Sequence, residues 1–485
     1  MRAVHAPPRR RRAGALPPLD EGAGAARLVH QRPAPPPDPL GNRLGGGAAA
    51  ADGPDGRARQ HRLHRPRLLP RGLGGAGRAR GRAGRAALGL PLPLDRLGRG
   101  RRVSGTVVIG GGPAGAAAAI LLARAGARVT VVEREAAARE KVCGEFLGPD
   151  AAALMASLGL PLPSLGAVPV SRGALAAGSR DAAWALPFAA WSLPRAVMDE
   201  ALLDAAARAG ATVLRGRGAA GAAREGEGWS VRLAGGARLA ARSVVLATGK
   251  HELRGHARSA TRGQIGLKLP LRLAGPMEGT VLLLPFAGGY AGLQPRGGEG
   301  AGREANLCAA LRAVGSEARD PAALLGRVAS GSALAARLLR DAEPLLARPL
   351  AVGGVPYGFR HRDGAGAPCG LYRAGDQFAV VPSLAGDGVA MALAGGMAAA
   401  RAILEGVPSA AFHRALDAEL GRPMRWAGAI ARLLEAAPGA LTLAAGVFPA
   451  GARLAAARTR LPSRPRPVAG GREGGAGPVR ILARR

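Results

Sequence analysis

Lysine is nearly missing from this 485-residue chain, aromatic residues make up 3% of it, and there are three cysteines. Arginine, alanine, glycine and proline dominate instead, with 76 Gly and 39 Pro. These four share GC-rich codons, so the bias reflects base composition before it reflects function. Cys143, Cys308 and Cys369 are far apart and form no CxxC pair. That argues against a disulfide framework or a cysteine zinc site and suits a reducing cytosol. No charge-free apolar run reaches membrane-spanning length. The basic start MRAVHAPPRRRRAG has no apolar stretch behind it, as a secretory signal would. Aromatics do not interleave with the basic residues, which speaks against a nucleic-acid module. Most of the net charge of +35 lies in residues 1–102 and 452–485, so it says little about the middle of the chain.

Hydrophobic content of 48% is that of a globular protein, and the length suits about two to three domains. Residues 1–102 break repeatedly at PAPPPDP, GNRLGGGAAAADGPDG and GLGGAGRARGRAGRA. Such composition buries too little apolar surface to offset the entropy of ordering. A disordered basic tail, an Arg-rich targeting peptide and non-native translation upstream of the true start all remain open, and the last is preferred.

From Thr106 the texture changes. TVVIG predicts a buried strand, PAGAAAAILLARAG a helix ending at Gly126, and ARVTVVER a second strand. Residues 195–209 predict an amphipathic helix feeding another strand, and WSVRLAGGARLAA a hairpin turning at Gly235-Gly236. TVLLLPFAGGYAGLQP and EANLCAALRA read as sheet strands, and residues from 388 to about 450 as mostly helical.

Gly110, Gly112 and Gly115 satisfy GxGxxG, with Pro113 and Ala114 between them, and Glu133 ends the second strand. The first glycine makes the tight turn, the second lets backbone approach a pyrophosphate, and the third lets helix pack on strand. The phosphates then sit at the helix N-terminus, and the acid binds ribose hydroxyls. This arrangement does not separate FAD from NAD. Gly375-Asp376 after a strand, and VPSLAGDGVAMALAGG leading into a helix of small residues, favour FAD. An acid there can hold a polyol chain, and the helix start can face the electron-rich edge of a flavin.

Together, VVIGGGPAGAAAAILLARAGARVTVVER, KVCGE, SLPRAVMDEALLDAAARAGA, VVLATG and AGDQFAVVPSLAGDGVAMAL resemble FAD-dependent oxidoreductases of the geranylgeranyl reductase type. That type lies within the para-hydroxybenzoate hydroxylase-like flavoprotein superfamily, and the resemblance spans roughly residues 105–410. It implies an α/β fold: a Rossmann-like FAD-binding domain with a parallel sheet, an inserted α+β substrate domain and a helical C-terminal region. The expected boundaries are FAD-binding parts 103–180, 181–250 and 366–410, a substrate domain 251–365, a helical region 411–451 and a basic tail 452–485.

The resemblance implies that Gly110, Gly112, Gly115 and Glu133 hold the ADP half of FAD, with Pro113, Ala114 and Arg134 beside them. It places Lys141, Gly144, Arg195, Gly375 and Asp376 along the cofactor, and Pro382, Gly386, Asp387 and Gly388 at the ring. Cys143 is expected to form a wall of the active site. Glu145 is expected to polarise flavin or substrate, and Tyr290 to reach the substrate. Trp184, Phe188 and Trp191 are candidates for an apolar wall, and Cys308 reads as a small core residue.

Two features depart from the pattern. Thr248 stands where aromatic hydroxylases carry an acid, and GGYAGLQP replaces an aromatic-rich substrate motif. The first tips the expectation towards reduction of a carbon–carbon double bond in an isoprenoid or polyketide-like apolar substrate. The alternative is monooxygenation of an aromatic or quinol-like substrate, and a flavin-free or flavin-storing binding protein is the reading from another class. NAD(P)H is a candidate electron donor, no metal or nucleic acid is expected, and peripheral membrane contact through the basic tails is open. The expected location is the cytoplasm; the oligomeric state is not specified.

Overall fold

The computed structural model describes residues 105–259, 263–297, 302–364 and 367–461. The expectations for residues 1–102 and 462–485 fall outside the described residues. A five-stranded parallel sheet runs Leu371–Arg373, Ser243–Leu246, Thr106–Ile109, Val129–Val132, Thr212–Leu214. Its inner strands are continuous apolar runs, as in a sheet covered on both faces. The helix Pro113–Arg124 begins with proline at its first turn, where no backbone donor is missed. It is buried along most of its length against the helix Gly388–Leu404.

That contact explains Gly395-Gly396. A Cβ on Gly396 would fall 1.9 Å from the Ala114 carbonyl oxygen. Mid-helix glycine costs about 1 kcal/mol in propensity, and here it is what allows the two helices to touch.

The second sheet is mixed. Its order is Glu343–Pro344, Gln264–Arg272, Glu304–Leu311, Gly289–Pro295, Thr280–Phe286, Val168–Ala177, Arg180–Ser192, Phe146–Leu147, and Leu350–Val355 also pairs with Gln264–Arg272. The hairpin 168–192 therefore belongs here, not with the FAD-binding parts 103–180 and 181–250. Alternating burial identifies its strands, but their partner, Thr280–Phe286, lies far downstream and leaves no local mark. Leu267, Leu269, Leu271, Leu293 and Leu307 face one side and form a core over the helices Pro321–Ala329 and Ala333–Leu339. Period-2 alternation sends Lys268, Tyr290, Gly292, Gln294, Asn306 and Cys308 to the other side. A third sheet holds the expected hairpin, with Gly235 and Gly236 both at φ 92°.

Three helices, Ser409–Ala436, Pro438–Val447 and Pro449–Arg458, close the described chain. The tail expected from 452 is helical to Arg458, because Pro449 opens a new helix and the alanines that follow sustain it.

A polar clamp ties the long helix to the parallel sheet. Nε2 of His413 accepts from the Arg373 backbone N–H (2.9 Å), and its Nδ1 meets Asp363 at 2.8 Å. Asp363 also pairs with His361 at 3.0 Å. These are metal-ligand residue types, but both ring nitrogens of His413 are already committed to protein partners. Burial, working against Asp363, lowers the His413 pKa to about 4. The unfolded chain takes up this proton near pH 6.5 and the folded one only near 4, so this contribution is complete above 6.5 and lost towards 4. The loss should approach about 3 kcal/mol. Asp387 and Glu419, both pushed up by burial to about 7, slope the other way, losing stability as pH rises from about 4 to about 7. The urea midpoint of His413→Gln should therefore fall less between pH 7 and pH 5 than that of wild type; an unchanged wild-type profile would contradict the assignment.

Candidate active site

The strand Thr106–Ile109 delivers the chain into a cradle that only glycine can build. A Cβ on Gly110, at φ 103°, would lie 2.4 Å from the Ala247 carbonyl oxygen. One on Gly115 would lie 1.9 Å from the Gly110 carbonyl oxygen. The helix behind it has no side-chain cap, so its first amides and its dipole are available to an anion. Glu133 marks the rim, accepting from the Gly111 N–H (2.7 Å) and the Glu135 N–H (3.0 Å). These features fit the pyrophosphate and ribose of a dinucleotide.

A cavity of about 440 Å³ extends from this cradle. Gly110, Gly112, Pro113, Ala114, Glu133 and Arg134 line it. Lys141, Cys143, Gly144, Glu145 and Arg195 line it too, as do Gly375, Asp376, Gly386 and Gly388. Gly115 lies beneath the cradle as packing. Asp376 is paired with Lys250 at 3.2 Å.

Pro382 and Asp387 do not join this wall. Pro382 caps a short 3-10 turn, and Asp387 is fully buried, facing Arg460 on the other side of the loop. Arg460 also donates to the Ala385 carbonyl (3.1 Å). Tyr290 lies within the strand Gly289–Pro295. Its hydroxyl is 2.7 Å from Ser383 Oγ and accepts from the Leu384 N–H (3.3 Å). Burial raises its pKa, so it fixes the 383–385 loop as a neutral hydroxyl.

Charges at the cavity wall are interlocked. Arg195 grips Asp199 through two bonds of 2.9 and 3.0 Å, and Lys141 meets the same carboxylate at 2.7 Å. Burial opposes charge on Asp199, but Arg195 and then Lys141 hold its pKa below the ordinary value. Glu145 accepts from the Arg195 N–H (2.8 Å) and from Lys268 Nζ (2.5 Å). Lys268, fully buried, also meets Glu140 at 2.5 Å, and Glu140 pairs with Arg296. Burial raises the Glu145 pKa and Lys268 pulls it back. Glu145 is the single non-glycine residue at positive φ (65°) among the described residues, a conformation costing about 1–2 kcal/mol. Asn306 secures this strained loop, donating to the carbonyls of Cys143 (3.0 Å) and Gly144 (2.9 Å).

A second, apolar cavity of about 180 Å³ adjoins the first and shares Gly144, Phe146, Cys308, Ser383 and Gly386 with it. Trp184, Phe188 and Leu283 line it, and the C-terminal helices roof it through Ile430, Leu441, Ala445 and Ala456. Trp191 packs instead against the parallel-sheet core. Cys308 is not core filling but a wall of both cavities, its pKa raised by burial to about 12. Sequence reasoning missed Lys268, Asp199, Asn306, Ser383 and Arg460. Of these, Lys268 carried a signal, as a charge set between Leu267 and Leu269 in QIGLKLPLR.

Residues 104–270 match the family described as FAD binding domain. A 53-residue stretch is 49% identical to 6-methylpretetramide 4-monooxygenase of Streptomyces rimosus, covering 11% of this chain and only 13% of that protein's length. The flavin-dependent brominase Bmp2 superposes with a TM-score of 0.60 at 17% identity, over 74% of this chain and 94% of its own. The myxobacterial chondrochloren halogenase CndH gives 0.57 at 21%, over 74% and 91%. At such identities the structural likeness is one of fold. Fold, matched domain and cradle define an FAD-binding domain over residues 104–270. The comparisons carry the flavoprotein part of the sequence resemblance and not its geranylgeranyl reductase part.

Proposed function

We propose that this chain is an FAD-dependent monooxygenase that hydroxylates an aromatic or other ring-shaped apolar substrate seated in the second cavity. The observation that carries this reading is the wall the two cavities share, at Gly144, Phe146, Cys308, Ser383 and Gly386. The short stretch similar to a named monooxygenase supports the oxygenase over the double-bond reduction expected from the sequence.

Bound FAD, once reduced by a donor such as NAD(P)H, supplies the electrons and the oxygen activation that hydroxylation requires. The protein contributes position and exclusion of water. Its glycine cradle and Glu133 seat the dinucleotide, and the Arg195–Asp199–Lys141 cluster stiffens the cavity's wall. Phe146, Phe188 and Leu283 keep water from the reacting centre. Trp184 Nε1, buried without a partner on the second cavity's wall, is a donor free to orient a substrate oxygen.

The purified protein should be yellow, with a flavin spectrum. Given an electron donor, isotopically heavy dioxygen and fused-ring phenolic substrates, it should yield a product carrying one heavy oxygen atom. A product gaining two hydrogens and no oxygen would replace this reading with the reductase, and a colourless protein would end both.

A further inference from the structure

The helix Pro438–Val447 reads PGALTLAAGV, with no charged residue on any side. A helix apolar all round belongs in a core or in lipid, yet only half of this one is covered. Leu441 and Ala445 face inward and line the second cavity. Leu443 and Val447, one turn apart, face outward and are 52% and 78% exposed. Phe448, 64% exposed, lays its ring across Gly451, where a Cβ would come within 2.6 Å of it. Leu454, three residues on, shares that helical face and is exposed as well. One turn further, the Arg458 guanidinium lies 5.8 Å from the ring centre of Trp426, itself partly exposed on the long helix. Apolar surface of this extent marks a contact.

The charge carried by the last two helices has one sign, and Asp181, exposed beside the Ala182 that packs on Gly446, is an acid at their edge. Arg422, Arg425, Arg432, Arg453 and Arg458 are exposed. Residues 436–461 contain no Asp or Glu, and the preceding Glu435 is paired with Arg312. A second copy of the chain would bring arginine against arginine. No single described helix is long and apolar enough to cross a membrane, and the long helix and Pro438–Val447 meet at a bend of 112°.

We propose that this surface docks on an anionic lipid bilayer, with Val447 and Phe448 entering the boundary between headgroups and acyl chains and the arginines meeting lipid phosphates. The chemistry is that of a helix lying in the interface, apolar at its tip and basic around it. Because the inner faces of the same helices roof the apolar cavity, docking holds that roof against the lipid. The proposal stands on the surface alone and does not depend on the reaction performed.

Co-sedimentation of the full-length protein with phosphatidylglycerol/phosphatidylcholine vesicles tests it, with pure phosphatidylcholine vesicles for comparison. Wild type should partition onto the anionic vesicles and much less onto the neutral ones, and added salt should weaken binding. Val447→Asp/Phe448→Asp should reduce partitioning by about tenfold or more with flavin absorbance and Tm unchanged. Arg432→Glu/Arg453→Glu should weaken anionic binding alone. Undiminished binding by the Val447/Phe448 variant would overturn the proposal, as would equal binding to both vesicle types. So would a dimer in vesicle-free light scattering that the same variant converts to monomer.

Discussion

Lys268→Met should cost the fold about 3–5 kcal/mol, seen as a fall in urea midpoint, because it strands a buried carboxylate. Lys268 is fully buried in a central strand, with Glu145 and Glu140 each 2.5 Å from its ammonium. Glu140 keeps Arg296 when the lysine is lost, whereas Glu145 keeps only the Arg195 backbone N–H. The second oxygen of Glu145 is already buried without a partner. With Lys268 gone, burial and the neighbouring Glu140 outweigh the remaining Arg195 N–H and hold the Glu145 pKa further above its ordinary value. A folded pKa above the unfolded one means the penalty is absent below the unfolded pKa and grows as pH rises through the folded value. Lys268→Met should therefore recover part of its loss between pH 7 and pH 5. Lys268→Met/Glu145→Gln should be more stable than the sum of the single changes, by about 1–3 kcal/mol of coupling. Additive losses would show that the pair is not the unit described.

The same residue shows how much was legible in advance. The sequence contains three lysines among its many arginines, Lys141, Lys250 and Lys268. The first two line the larger cavity, and the third holds Glu145 beside it. A compact ammonium fits between two carboxylates where a planar guanidinium fork demands more room, so a lysine kept against the compositional drift carries information. The glycine cradle was readable because its constraint is local: a Cβ at Gly115 collides with a carbonyl five residues back. Arg460 was not readable. Its partners, Asp387, Phe146 and Phe188, come from distant parts of the chain, and it sat in a stretch read as tail. The sheet membership of the 168–192 hairpin failed for the same reason, since alternation names a strand but not its neighbour.

Gly144→Leu should separate cofactor binding from turnover. Gly144 lines both cavities, and a Cβ built on it meets nothing within 4 Å. Its φ is not in the left-handed region, so a larger residue imposes no backbone strain. The added side chain would enter the open space where the two cavities meet, between the place where the ring of FAD would face and the apolar chamber. The cradle at Gly110–Gly115 is built from other residues, and no cradle atom lies within 4 Å of a Cβ on Gly144. FAD stoichiometry, from the ratio of flavin to protein absorbance, should therefore stay at the wild-type value. Displacing a substrate by about 1 Å from its reactive position can cost about 100-fold in rate, and a leucine at this wall displaces it further. The expected outcome is a fall of at least about 100-fold in kcat/KM, with Gly144→Ala in between. Loss of FAD from Gly144→Leu would mean that the loop seats the cofactor. Full activity would mean that substrate reaches the flavin by another route, and the shared wall would no longer support a monooxygenase with its substrate in the second cavity.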